Sequence, residues 1–289
     1  MNSQISDKQA YEFTSNNGDK FVVQFLRDDE DCPNPRREFS NMAHMICFDG
    51  YGDKHKYENT YEFWKDLVRN YVPSEELITR AKENKIPKVE IKQNPKNPER
   101  WDIYSQFAWH DSEMVLDYEG VYESYLDDYI IDSIFEEDLE KLALEYVAVL
   151  PLWIYEHSGA TISCGERSYP YNDRWDSHCS GYIYMTKEEA GNSDDWREFA
   201  EEIMKAEVKQ YDQYLTGDVW RYKIYEETSD GLDEIDSCWN FFGDDIYENG
   251  MIEYIDDKLT GFDTAFRRGK LKEGSIEEKI TVEYQFVSV

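Results

Sequence analysis

The alternation of apolar and polar positions divides this chain into recognisable elements. In residues 11–27 (YEFTSNNGDKFVVQFLR) two apolar runs flank a polar Asn-Asn-Gly-Asp stretch. That pattern predicts a β-hairpin with Gly18 in the turn, where positive φ is needed. Residues 42–48 read as a further strand. Across residues 60–71, Tyr61, Trp64, Leu67, Val68 and Tyr71 recur at steps of three and four, the period of a helix with one buried side. A second short helix is expected from Ser74, whose hydroxyl is its candidate cap.

Further along, Val115, Tyr118, Tyr122, Tyr125 and Tyr129 also fall at steps of three and four. They predict one helical stripe, either buried or facing a partner. Glu119, Glu123 and Asp127 follow at steps of four on another face of the same expected helix. After residue 147 the pattern turns to strands, at 148–159 (AVLPLWIYEHSG) and 181–186 (GYIYMT), with a turn-prone stretch at 168–181 between them. A long helix is expected over 194–215. A hairpin follows, with arms at 218–228 and 233–243 around Ser229-Asp230-Gly231. Residues 247–266 read as helical and 280–289 (ITVEYQFVSV) as a closing strand. Helices and strands mix without the regular alternation of a parallel α/β sheet, so the fold class is α+β, with mixed helices and antiparallel strands.

Charge changes this picture. The chain has 289 residues, 40% of them hydrophobic and 16% aromatic, with 63 Asp and Glu against 31 Lys and Arg, a formal net charge of −32. The apolar and aromatic content separates it from a disordered acidic tail. The charge disfavours nucleic acid and anionic membrane as direct partners and favours basic proteins. There is no run of about 18 apolar residues and no apolar core near the start, so a soluble protein of the cytoplasm is expected. Five scattered cysteines fit reduced thiols better than a disulfide framework.

The charge is unevenly spread. Residues 1–100 hold 18 acids and 16 bases, whereas residues 101–289 hold 45 and 15. Uniform adaptation to brine does not predict such a split; a dedicated binding surface does. Residues 80–100, rich in Lys, Pro and Asn, read as a basic linker or arm. The expected organisation is therefore an α+β region over 1–79, the linker over 80–100 and an acidic α+β domain over 101–289. Residues 111–145 alone carry 13 acids and one base, Lys141. The candidate partner-binding residues are Glu119, Glu123, Asp127, Asp128, Glu136, Glu137 and Asp138. Carboxylates one helical turn apart rise about 6 Å per step, a spacing close to that of successive phosphates on a nucleic-acid strand. Charge runs of this kind are more often plain solvated faces.

Catalytic signatures are sparse. His157, Cys164, His178 and Cys179 contain the donor types that bind zinc but lack paired C-x-x-C spacing. Glu90-Ile91-Lys92 matches a fragment of a nuclease motif that is common by chance. Asp244-Asp245 and Asp256-Asp257 lack the spacing of an EF-hand. No phosphate-binding glycine loop or nucleophile elbow is present. The expectation is a protein without catalytic residues, metal or cofactor. A diverged metal-dependent hydrolase and a structural accessory protein are the alternatives.

Four segments carry a resemblance: 150–163 (LPLWIYEHSGATIS), 174–190 (RWDSHCSGYIYMTKEEA), 211–226 (YDQYLTGDVWRYKIYE) and 236–245 (DSCWNFFGDD). Together they resemble a family of accessory proteins carried by phages and other mobile elements. In size and charge the chain is also similar to phage anti-defence proteins that bind the host Gabija complex as oligomers and block its handling of DNA. The resemblance implies a homo-oligomeric inhibitor of a bacterial defence complex, acting in the host cytoplasm. It implies recurring positions at His157, Ser158, Trp175, Asp176, Tyr211, Asp212, Asp218 and Trp239. Large aromatic residues in strands usually pack, so Trp175 is expected inside.

Overall fold

A computed structural model describes residues 3–28, 32–106, 113–165 and 175–274. Its elements are β1 (Ala10–Thr14), β2 (Lys20–Arg27), α1 (Pro35–Glu38), β3 (His44–Cys47), α2 (Thr60–Tyr71), α3 (Ser74–Lys82), β4 (Val89–Asn94), β5 (Asn97–Gln106) and β6 (Met114–Tyr122). A 3-10 turn, Glu123–Tyr125, leads into α4 (Leu126–Ser133), α5 (Glu136–Ala143), β7 (Val147–Glu156), β8 (Ala160–Cys164) and β9 (Ser177–Thr186). Then come α6 (Trp196–Leu215), β10 (Val219–Thr228), β11 (Gly231–Phe242), α7 (Met251–Lys258), α8 (Phe262–Arg267) and β12 (Lys272–Gly274). The fold is α+β, with antiparallel sheets. Among the described residues no helix is long and apolar enough to cross a membrane.

The chain forms two compact units. Unit 1 comprises Met1–Ser40, Ile154–Ser163 and Val208–Val289; unit 2 comprises Asn41–Trp153 and Cys164–Glu207. This corrects the expected division at 80–100, which lies wholly inside unit 2.

Unit 1 is built on a sheet of order β11-β10-β2-β1-β12. The first hairpin forms as expected, with Gly18 at φ +94 in its turn. Alternation along β2 sends Val23 and Phe25 into a core with Ile252 and Ile255 of α7 and Phe262 and Phe266 of α8. Val22 points into a small cluster with Ala10. The single helix expected over 247–266 is broken in two. Gly261 adopts φ +95, and the Asp256 carboxylate accepts hydrogen bonds from the Gly261 and Asp263 N–H groups at the start of α8. The 280–289 strand expectation lies outside the described residues.

In unit 2 the helix expected over 60–71 is α2. Asn59 caps it, and Phe63, Trp64, Leu67 and Val68 form its buried side. Helix α3 also starts at Ser74, but Ser74 is not its cap. Pro73 holds that position without a side-chain bond, and the Ser74 hydroxyl donates to Asp127 at 2.5 Å. Helices α2 to α5 share one core with β4, β5 and β6: Leu77, Ile91, Ile103, Val121, Ile130 and Leu139 all belong to it.

Two further expectations are corrected here. Residues 80–100 are not a linker: they hold the end of α3 and the β4–β5 hairpin. Asn94 shapes that hairpin's turn, its Oδ1 accepting from the Lys96 and Asn97 N–H groups. Pro95 sits in the turn, where no ladder donor is needed. The second correction concerns residues 114–122, which are strand β6 and not helix. Two register shifts between β5 and β6 set Trp101 opposite Val121, Ile103 opposite Tyr118 and Ser105 opposite Val115. The shifts give β6 more residues than the stretch of β5 it faces, so the strict two-residue alternation of a regular strand is lost here.

Candidate protein-interaction surface

The acid-dense segment runs through β6, the 3-10 turn, α4 and α5, so its carboxylates do not form one helical row. Glu119 lies in β6, Glu123 in the 3-10 turn, and Asp127 and Asp128 in the first turn of α4. Glu136, Glu137 and Asp138 occupy the first turn of α5, where carboxylates favour the positive end of the helix dipole.

Most of these acids are paired within unit 2. Glu119 accepts from Lys96 at 2.9 Å, Glu123 from Lys82 at 2.7 Å, Asp128 from Arg69 at 3.0 Å and Glu137 from Lys88 at 2.6 Å. Asp132 meets Lys65 at 2.6 Å, and Glu145 meets Arg80 at 2.7 Å. Asp127 and Glu136 accept from the hydroxyls of Ser74 and Thr60. The Lys88 hydrogen bond, then its charge and that of Lys141, hold the Glu137 carboxyl below the usual glutamate range. The Glu119 hydrogen bond likewise raises Lys96 above the usual lysine range. Asp138 is the exception in burial: its side chain is 5% exposed and bonds Lys141 at 2.9 Å. It is a structural residue of α5, and its assignment to a partner-binding face is corrected.

Apart from Lys141, the counter-charges come from residues 65–96, and the charge-based reading missed them. The near-neutral count over residues 1–100 reflects bases that neutralise acids of the following segment. Divided by unit, the excess is general: 35 acids to 17 bases in unit 2 and 28 to 14 in unit 1.

The same surface exposes aromatic side chains. Tyr122, Tyr125 and Tyr129 are 51, 58 and 38% exposed, and Val115 and Leu116 of β6 are also open. Tyr122 ends β6, Tyr125 ends the 3-10 turn and Tyr129 lies within α4. Tyr129 is braced edge-on by Tyr118 at 4.7 Å. The Arg100 guanidinium lies 4.3 Å from the Tyr122 ring centre and donates to its hydroxyl at 2.6 Å. Of the expected stripe, Val115, Tyr122, Tyr125 and Tyr129 are exposed while Tyr118 packs against the core, and strand, turn and helix share it.

The recurring positions named by the resemblance divide by role. Tyr211 is buried and stacks on Tyr214. Asp212 ties the 154–163 hairpin down, accepting from the Thr161 hydroxyl and the Ile162 N–H. Asp218 accepts from the Trp220 ring N–H and pairs with Arg27. Ser158 sits in the hairpin turn at φ +58, next to His157. Trp175 is 95% exposed and Trp239 is 42% exposed, so the expectation of a packed Trp175 is corrected.

Chemistry elsewhere is limited. Among the described residues no group of three His, Cys, Asp or Glu is placed to hold a metal ion. His178 Nε2 lies 3.0 Å from Asp49. Burial pushes the Cys164 thiol up to about 11 and raises that of Cys179, which keeps both protonated at neutral pH. A cleft of about 210 Å³ in unit 2 is walled by Trp64, Trp153, Tyr182 and Leu144, with Glu140 and Cys179 as its ionisable groups. It has room for a small apolar group. The acidic pairs 244–245 and 256–257 include backbone caps: Asp245 accepts from the Tyr247 and Glu248 N–H groups, as Asp256 does at α8. No family model, curated protein or solved structure matches the chain.

Proposed function

We propose that this protein works by binding a basic protein surface through the tyrosine and carboxylate face of β6, the 3-10 turn and α4. The observation that carries this reading is the exposure of Tyr122, Tyr125 and Tyr129 among carboxylates whose positions are fixed by ion pairs. Tyrosine gives large contact area at small entropic cost and dominates many interface centres. Acids held by neighbouring bases are pre-organised, and the unpaired excess of acids over bases in unit 2 steers a basic partner at long range. The resemblance supports a DNA-handling bacterial defence complex as that partner, with the protein as its inhibitor. Blocking a basic DNA-binding surface then needs no catalysis by this chain.

The test is a DNA-binding assay on such a complex, Gabija first, titrated with the protein. The Tyr122→Ser/Tyr125→Ser double variant should inhibit at least about tenfold more weakly, as the loss of central aromatic contacts does elsewhere. Circular dichroism should show an unchanged fold, because both rings are exposed. Equal inhibition by variant and parent at several salt concentrations removes this face from the interaction.

A further inference from the structure

Unit 1 contains a cleft of about 610 Å³ bounded by β1, the turn after it, the start and end of α8, and β12. In a chain of net charge −32 its lining is basic on balance: Arg268, Lys270 and Lys272 border it against one acid, Glu12. Thr14, Thr260 and Thr264 add hydroxyl donors, while Phe13 and Leu271 form a buried apolar floor.

The bases here differ from others in this region. Arg267 is committed to structure, donating twice to Asp263 at 2.8 and 3.0 Å and lying over the Tyr247 ring. Lys272 reaches Glu12 at 3.5 Å. Among the described residues Arg268 and Lys270 have no side-chain partner. They are also not needed to close α8, because the Gly269 and Lys270 backbone N–H groups already cap the Phe266 and Ala265 carbonyls. Holding these cations around one concavity costs repulsion that an anion relieves.

We propose that this cleft binds a small, multiply charged oxyanion of the phosphate or carboxylate class. Arg268 and Lys270 supply charge-assisted hydrogen bonds and the threonine hydroxyls supply neutral ones. A long polyanion is disfavoured by the chain's net charge of −32, whereas a small one responds to charges within about 8 Å at physiological salt. The site is independent of the tyrosine face in unit 2.

Isothermal titration of the full chain with pyrophosphate, and separately with citrate, tests this in 0.15 M NaCl. The expected result is saturable binding near one per chain. The Arg268→Gln/Lys270→Gln variant should weaken it by at least about tenfold, the scale of losing two charge-assisted bonds. The Lys54→Gln/Lys187→Gln variant removes the same charge from exposed positions in unit 2 and should bind as the parent does. Pyrophosphate binding alone assigns the phosphate class, citrate alone the carboxylate class, and both together a general polyanion site. Circular dichroism checks that each variant is folded. Absence of saturable heat with both anions overturns the proposal, as does equal weakening in the two variants.

Discussion

Asp102 illustrates how one buried carboxylate shapes the exposed face from behind. It is 4% exposed and accepts from the Asn94 side-chain amide at 2.7 Å and from the Gly120 N–H at 2.8 Å. One contact anchors the residue that forms the β4–β5 turn. The other fixes the irregular stretch of β6, where Gly120 takes φ +72. Asp102→Ala leaves both donors without their acceptor; the Gly120 N–H is only partly buried and can find water, whereas the buried Asn94 amide costs about 1–3 kcal/mol when unsatisfied. Urea unfolding should therefore show a loss in that range, with Asp102→Asn milder because one oxygen remains. An unchanged midpoint for the alanine variant shows that water replaces the carboxylate freely. Such residues are hard to read from sequence, since an Asp in a polar stretch carries no sign of its burial. Trp175 shows the reverse error: a large aromatic residue near strand-like sequence turns out to be 95% exposed.

At the level of elements, legibility followed the regularity of the period. Helix α2 and the β1–β2 hairpin were readable because each buries one apolar face, and the β10–β11 hairpin because aromatic-rich arms flank the Ser229-Asp230-Gly231 turn. Strand β6 was misread because register shifts break its two-residue alternation. The β4–β5 hairpin was misread because its lysines and prolines resemble a linker, although Lys88 before it and Lys96 in its turn are counter-charges of the acidic segment. This pairing has a pH signature. Glu137 is held below the ordinary glutamate value of 4.5 by Lys88, and Glu76 by Tyr146 and then Arg80. A depressed folded value means that the unfolded chain takes up protons first. The contribution is complete above pH 4.5 and is lost as pH falls through the folded values. Thermal unfolding between pH 7 and pH 3 should thus show stability falling below about pH 4.5, and less steeply in Lys88→Met, where Glu137 lacks its partner. Superimposable acid profiles for the two proteins show that the ion pair is not coupled to folding.

For the whole molecule, attraction and repulsion act over different lengths. The ion pairs of unit 2 close at 2.6–3.0 Å, well inside the Debye length at any ordinary salt. The 32 excess negative charges repel over much longer distances, and both units carry a share. In the five-stranded sheet, Glu226 even sits directly opposite Asp233 across β10 and β11, a like-charge pairing that weakens a sheet. Raising salt from 0.01 to 0.15 M shortens the Debye length from about 30 to about 8 Å. Screening at these lengths removes long-range repulsion while leaving contacts at 3 Å largely intact. The protein should therefore become more stable as salt is added, with a melting temperature higher by roughly 2–4 °C, equivalent to about 1 kcal/mol. Sodium chloride and tetramethylammonium chloride should act alike at equal ionic strength, because screening does not depend on the identity of the cation. A melting temperature that falls with salt means that the ion pairs outweigh the repulsion. A rise with sodium alone means that carboxylates bind the ion at a defined place.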